Sequence, residues 1–199
     1  LSRPPKSDIV VPKVKPEENN IFEGVIRVTG KGVGYFPIPD TDEPARTTGI
    51  VQSGGDLEIQ PENLNTALNR DRVKVESLHK EILGRRQARV LEITERHKTE
   101  FVGTLEQDEK GFFLVPDDKR MYRDIFVPSN SARGASDGDK VQIKIVEWPD
   151  PLKSPKGEVI RVIGRAGEHN AEMLGIVYES GFEVNFPPEV EEEAKVLKD

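Results

Sequence analysis

Five short apolar runs occur in this chain and then occur again, in the same order and at nearly the same spacing. Phe22-Glu23-Gly24-Val25 returns as Phe101-Val102-Gly103-Thr104, and Gly32-Val33-Gly34-Tyr35-Phe36 as Gly111-Phe112-Phe113-Leu114-Val115, both at an offset of 79. Asp56-Leu57-Glu58-Ile59 and Asp124-Ile125-Phe126-Val127 lie 68 apart, as do Asp71-Arg72-Val73-Lys74-Val75 and Asp139-Lys140-Val141-Gln142-Ile143. Arg89-Val90-Leu91-Glu92-Ile93 returns as Glu158-Val159-Ile160-Arg161-Val162 at 69. Each run is bounded by turn-forming residues or alternates apolar with polar side chains, which marks a strand. The offset shrinks where the polar loop over residues 37–55 lengthens the first copy. One such match means little, but five in order force a repeated β-unit.

Five short strands with a longer connection between the third and fourth is the plan of an OB-fold barrel, and closure of a barrel protects its strand edges. In the first copy that connection, residues 61–68, reads as a short helix with Pro61 in its first turn. The expected fold is all-β: two tandem five-stranded OB-type barrels with short flanking helices. The boundaries read as an extended arm over residues 1–20, a first barrel over 21–97, a second over 99–166, and a helical connector over 167–199. Within the connector, Met173, Leu174 and Val177 have helical spacing weakened by Gly175. Val190, Ala194 and Leu197 mark a second, charged helix over 189–197. At 35% apolar and 33% charged residues the chain suits small, wet barrels better than one large α/β core.

Several chemistries are excluded by what the residues lack. With no cysteine there is no disulfide, thiolate metal site or Cys nucleophile. His79, His97 and His169 have no ligand spacing around them. Gly30, Gly32 and Gly34 break the dinucleotide-binding spacing after the third glycine, and no helix follows. Asp117-Asp118 and Asp137/Asp139 are turn residues before strands and form no acid/base pair. The chain is therefore expected to hold no catalytic residue, metal or small-molecule cofactor. No apolar run reaches the ~20 residues that span a bilayer, and no signal-peptide core is seen. A soluble, cytoplasmic protein with no membrane partner is expected.

The net charge of −7 argues against a simple nucleic-acid binder, but the charge is uneven. Residues 183–199 carry −4, while residues 84–98, with Arg85, Arg86, Arg89, Arg96 and Lys98, carry +3. Aromatics on adjacent strands beside Lys and Arg make a surface on which bases stack while cations meet phosphates. On that logic the candidate contacts for single-stranded RNA are Lys110, Phe112 and Phe126, Tyr122 and Arg123 in the basic loop between their strands, and Lys31 and Tyr35 in the first copy. Alternation puts Phe112 and Leu114 on one face of a strand and Phe113 and Val115 on the other; burial logic is compatible with either face being the core.

Lys110-Gly111-Phe112-Phe113-Leu114-Val115 resembles the first ribonucleoprotein motif of cold-shock domains, and Asp124-Ile125-Phe126-Val127 the second. That resemblance puts Phe112 outward. With Gly84-Arg85-Arg86-Gln87-Ala88, Gly138-Asp139-Lys140-Val141, Trp148-Pro149, Pro155-Lys156-Gly157-Glu158-Val159-Ile160 and Phe186-Pro187-Pro188-Glu189-Val190, the series resembles the N-terminal tandem cold-shock domains of ribonuclease R-like members of the ribonuclease II (RNB) family. It implies a 3′-to-5′ hydrolytic exoribonuclease as the parent. The parent would hold Mg²⁺ in a catalytic domain of the same polypeptide, to which these barrels feed RNA. Copy one departs from the pattern: Glu58 stands where Phe126 stands, Val33 where Phe112 stands, and Asn69-Arg70-Asp71 replaces the glycine before the aspartate. Copy two has Phe113 where cold-shock domains have glycine. Copy two is expected to be the better RNA binder. The alternative is an OB-fold module that positions a partner protein and has no RNA affinity of its own.

Overall fold

A computed structural model of the chain describes residues 20–38 and 55–182. The expected arm, Asn20 apart, and the expected helix over 189–197 lie outside the described residues. Within them the chain is mostly β-structure with one α-helix, in two sheets. The first sheet holds β1 (Ile21–Val25), β2 (Arg27–Val28), β3 (Gly34–Phe36), β4 (Leu57–Ile59), β5 (Arg72–Ile82) and β6 (Arg85–Glu95), in the order β1-β5-β6-β4-β3-β2. The second is a closed five-stranded barrel of β7 (Glu100–Asp108), β8 (Gly111–Pro116), β9 (Ile125–Pro128), β10 (Asp139–Glu147) and β11 (Lys156–Arg165), in the order β10-β11-β9-β8-β7. The helix α1 (His169–Glu179) follows.

The first apolar run is followed at once by a second short strand rather than continuing as one, because Ile26 leaves the ladder. Its side chain is fully buried, its amide donates to the Asp71 carbonyl at 3.0 Å, and its carbonyl accepts from the Arg70 amide at 2.9 Å. β1 then pairs with β5, and β2 with β3. The helix expected over residues 61–68 is a single 3-10 turn, Pro61–Asn63. Asn65 and Thr66 follow with φ of 46° and 64°, which no α-helix accommodates.

Strand register repeats between the sheets. Phe22 faces Val75 as Phe101 faces Ile143, and Glu58 faces Gln87 as Phe126 faces Lys156. In the second run, register corrects the sequence match by one residue. Tyr35 faces Glu58 as Phe113 faces Phe126, so Tyr35 corresponds to Phe113, and Phe36 to Leu114. A conserved steric contact agrees: a Cβ added at Gly24 would lie 3.0 Å from Phe36, and one at Gly103 would lie 3.0 Å from Leu114. An aspartate tie is also repeated. Asp71 accepts from the Leu68 amide and from Arg96, and Asp139 accepts from the Ser136 amide and from Arg165.

Each sheet encloses an apolar cluster, one around Ile26, Phe36, Leu57, Ile59 and Val75, the other around Leu105, Leu114, Ile125, Ile143 and Val159. The clusters meet: Leu68, from the first copy, packs in the second, and Tyr122 packs against both. The Tyr122 hydroxyl donates to the Ala67 carbonyl at 3.2 Å, and its ring lies 6.0 Å from that of Trp148. The Arg96 guanidinium sits 6.0 Å from the Trp148 ring. The linker is tied down residue by residue. The His97 amide donates to Asp71, Lys98 pairs with Glu179, and the Thr99 carbonyl accepts from the Ile145 amide. The helix α1 lies on β7, β10 and β11. There the glycine that weakens its helical pattern permits close packing, since a Cβ at Gly175 would meet Lys140 at 3.1 Å and Val102 at 3.4 Å. Lys140, 4% exposed, is paired with Asp117 and Glu172.

Candidate nucleic-acid interface

The alternation left open by sequence is settled by β8. Leu114 is fully buried and Phe112, on the same face, packs against the core cluster. Phe112 is therefore an inward residue, contrary to the resemblance. The aromatic that shares the outer face with Phe126 is Phe113: the two are cross-strand partners with ring centroids 5.4 Å apart. Ile125 and Val127, which flank Phe126, are fully buried, so its outward aim is fixed by the strand itself. Gly111 lies beneath this pair with φ of 153°, and a Cβ there would meet the Val127 carbonyl at 2.6 Å and the Phe126 ring at 3.3 Å. The glycine lets the Phe126 ring lie over β8.

Two cations border this aromatic pair. Lys156 on β11 is in register with Phe126 and exposed. Lys110 is exposed in the two-residue turn joining β7 to β8, where Asp108 pairs with Gly111. Neither makes an ion pair with any other described residue. The row Phe113–Phe126–Lys156 thus crosses three neighbouring strands with two rings and an available charge. Phe113 as a contact and Lys156 altogether were missed by sequence reasoning. Cross-strand register is the signal that finds both, once the second run is shifted by one.

The matching row of the first sheet is Tyr35–Glu58–Gln87. Glu58, which stands where Phe126 stands in the second copy, is covered by Arg85. The Arg85 Nη1 donates to Glu58 at 3.0 Å and to the Tyr35 hydroxyl at 3.4 Å, and the guanidinium lies 5.7 Å from the Tyr35 ring. Gln60 and Gln87 also donate to Glu58. This row is saturated by its own partners. Other arginines of the +3 segment are likewise engaged, Arg89 with Glu76 and Arg96 with Asp71. Lys31 is exposed in the turn between β2 and β3, apart from this cluster.

The basic loop divides in two. Lys119 and Arg120 are exposed. Tyr122 is inserted at the junction of the sheets, where burial pushes its phenol up to about 12. Arg123 is half-buried and its Nε, shielded from solvent, has no hydrogen-bond acceptor. Among the described residues no group of three or more His, Asp or Glu side chains is placed to hold a metal ion.

Residues 113–187 match the sequence model of the cold shock domain. The ribonuclease R of Thermotoga maritima is 27% identical over 176 residues, covering 87% of this chain and 23% of that protein. That of Ureaplasma parvum is 27% identical over 183 residues, covering 91% and 23%, and that of Escherichia coli 28% over 149 residues, covering 75% and 17%. The chain spans less than a quarter of the length of these curated relatives. Among solved structures, Mycoplasma genitalium RNase R in complex with ribose-methylated single-stranded RNA is similar in fold. Its TM-score is 0.66 at 22% identity, covering 87% of this chain and 26% of that one. Yeast Ssd1, a pseudonuclease, is similar with a TM-score of 0.63 at 18% identity, covering 83% and 25%. Residues 113–187 are thus similar to the cold shock domain, and most of the chain is similar in sequence to a part of ribonuclease R.

Proposed function

We propose that this chain is the single-stranded RNA-binding segment of a 3′-to-5′ hydrolytic exoribonuclease of the ribonuclease R kind, and that it hands RNA to a catalytic domain of the same polypeptide. In this reading the six-stranded sheet is a second OB-type barrel, its first strand bent at Ile26 so that β1 and β2 close the two ends of the sheet. The units then run over residues 21–97 and 99–166, with residues 167–199 leading toward the catalytic domain. Mg²⁺ chemistry belongs to that domain, and a cytoplasmic location belongs to the same proposal. No helix among the described residues is long and apolar enough to cross a membrane.

The observation that carries the reading is the outward Phe113–Phe126 pair bordered by Lys110 and Lys156. Rings at this spacing accept successive bases, each stack being worth roughly 1–3 kcal/mol, while unpaired lysines neutralise the backbone. Lys31, Tyr35 and Arg123 would extend the contact toward the first sheet. The test is fluorescence anisotropy with a labelled single-stranded RNA and its duplex, titrated at several salt concentrations. Preferential, salt-sensitive binding of the single strand is expected; absence of binding at low salt would refute the RNA role.

A second reading, a positioning module without RNA affinity, draws on the saturated Tyr35–Arg85–Glu58 cluster, which leaves the first sheet little to offer a phosphate. It predicts that a Phe113→Ala, Phe126→Ala double variant binds RNA no worse than the parent sequence.

A further inference from the structure

The connections after β4 and after β9 follow the same backbone course. Thr66 and Gly134 both have left-handed φ, 64° and 80°, and so do Arg70 and Gly138, at 72° and 76°. Two non-glycine residues therefore occupy conformations that the second copy gives to glycine, which carries a steric cost for any residue with a Cβ. At Thr66 that cost is offset locally, since its carbonyl and hydroxyl both accept from Arg96 at 2.7 and 2.9 Å. Arg70 is held only through its backbone, whose amide donates to the Ile26 carbonyl at 2.9 Å. Its side chain is exposed and makes no hydrogen bond or ion pair with any other described residue. A strained residue whose side chain does nothing for the fold points to a role for that side chain.

Arg70 opens onto a cleft of about 270 Å³ between the two sheets. Arg120 of the basic loop lines it from the other side, with His97 and Lys98 of the linker between them. The acids present are already engaged: Glu179 pairs with Lys98 and accepts from the Val102 amide, and Asp118 accepts from the Arg120 amide. Two uncommitted guanidiniums thus face one polar cleft, and a phosphate is the ligand that planar forked donors suit.

We infer that this cleft is a phosphate-binding site which takes a backbone phosphodiester of the RNA as the strand passes from the Phe113–Phe126 row to the first sheet. The inference rests on the RNA reading above for the source of the phosphate, but the cleft itself does not.

Arg70→Gly separates function from folding, because glycine relieves the strain. The melting temperature should stay the same or rise, while the slope of log affinity for single-stranded RNA against log salt falls by about one. Arg120→Gln should lower the slope similarly and leave folding unchanged. Inorganic pyrophosphate, followed by amide shifts at Arg70, His97 and Arg120, probes the cleft without RNA. Shifts that vanish in Arg70→Gly support the site, and if the unaltered chain then fails to bind RNA, the RNA reading falls while the cleft stands. RNA binding with an unchanged slope in the Arg70→Gly, Arg120→Gln double variant, together with no pyrophosphate response, would overturn the cleft and leave the RNA reading intact.

Discussion

Phe112 and Phe113 are adjacent in sequence and face opposite ways, so their truncation should have opposite consequences. Phe113→Ala or Phe126→Ala should weaken single-stranded RNA binding by about 1–3 kcal/mol and barely move the urea midpoint. Leu114→Ala removes a fully buried side chain and should cost about 2–5 kcal/mol of stability, read from the same urea curves. Tyr122 gives a pH signature. Its phenol is pushed up to about 12 by burial from an ordinary value of 10.0. Between those values the folded chain keeps a proton that the unfolded chain releases. The stabilisation is thus fully present below pH 10 and is lost as pH rises toward 12. Of the three tyrosines, one should ionise late in an absorbance titration at alkaline pH. In Tyr122→Phe that late step should vanish and the alkaline loss of stability should flatten.

Strands were legible in the sequence because alternation and turn residues are local properties, and each expected strand overlaps an observed one. What failed to show was register. The run Gly32-Val33-Gly34 offers only the Val33 side chain to anchor a match, so its glycines align it one residue out of register, and the true correspondence emerges only from the partner strand. Arg85 and Glu58 are 27 residues apart and join through β4 and β6, a pairing that no periodicity announces. The repeated aspartate tie shows that similar sequence need not mean equal energetics. Asp71 is fully buried with its partner Arg96 30% exposed, whereas Asp139 and Arg165 are 15% and 56% exposed. Asp71→Ala should therefore cost about 3 kcal/mol or more, since it strands a partly buried guanidinium and two amides. Asp139→Ala should cost clearly less, and parallel chemical denaturation of the two variants compares them directly.

At the scale of the whole molecule, the junction makes the two sheets one body. A Cβ added at Gly30 would fall 2.1 Å from the Lys119 carbonyl, and backbone cannot step aside as a flexible side chain can. Gly30→Ala should push the sheets apart at this point. Calorimetry is expected to show one cooperative transition for the parent sequence and two for the variant, with the single-strand affinity reduced where the strand must cross from one sheet to the other.

The fastening of residues 97–99 has a practical corollary for anyone dissecting the chain. A protease needs slack, exposed backbone to seat a cleavage site, and between the sheets each linker residue is held by a different part of the fold: the buried Asp71, the end of α1, and β10. Limited digestion should therefore spare this joint. A truncation engineered there would remove His97 and Thr99 from one half or the other and leave each half with an anchor that grips nothing.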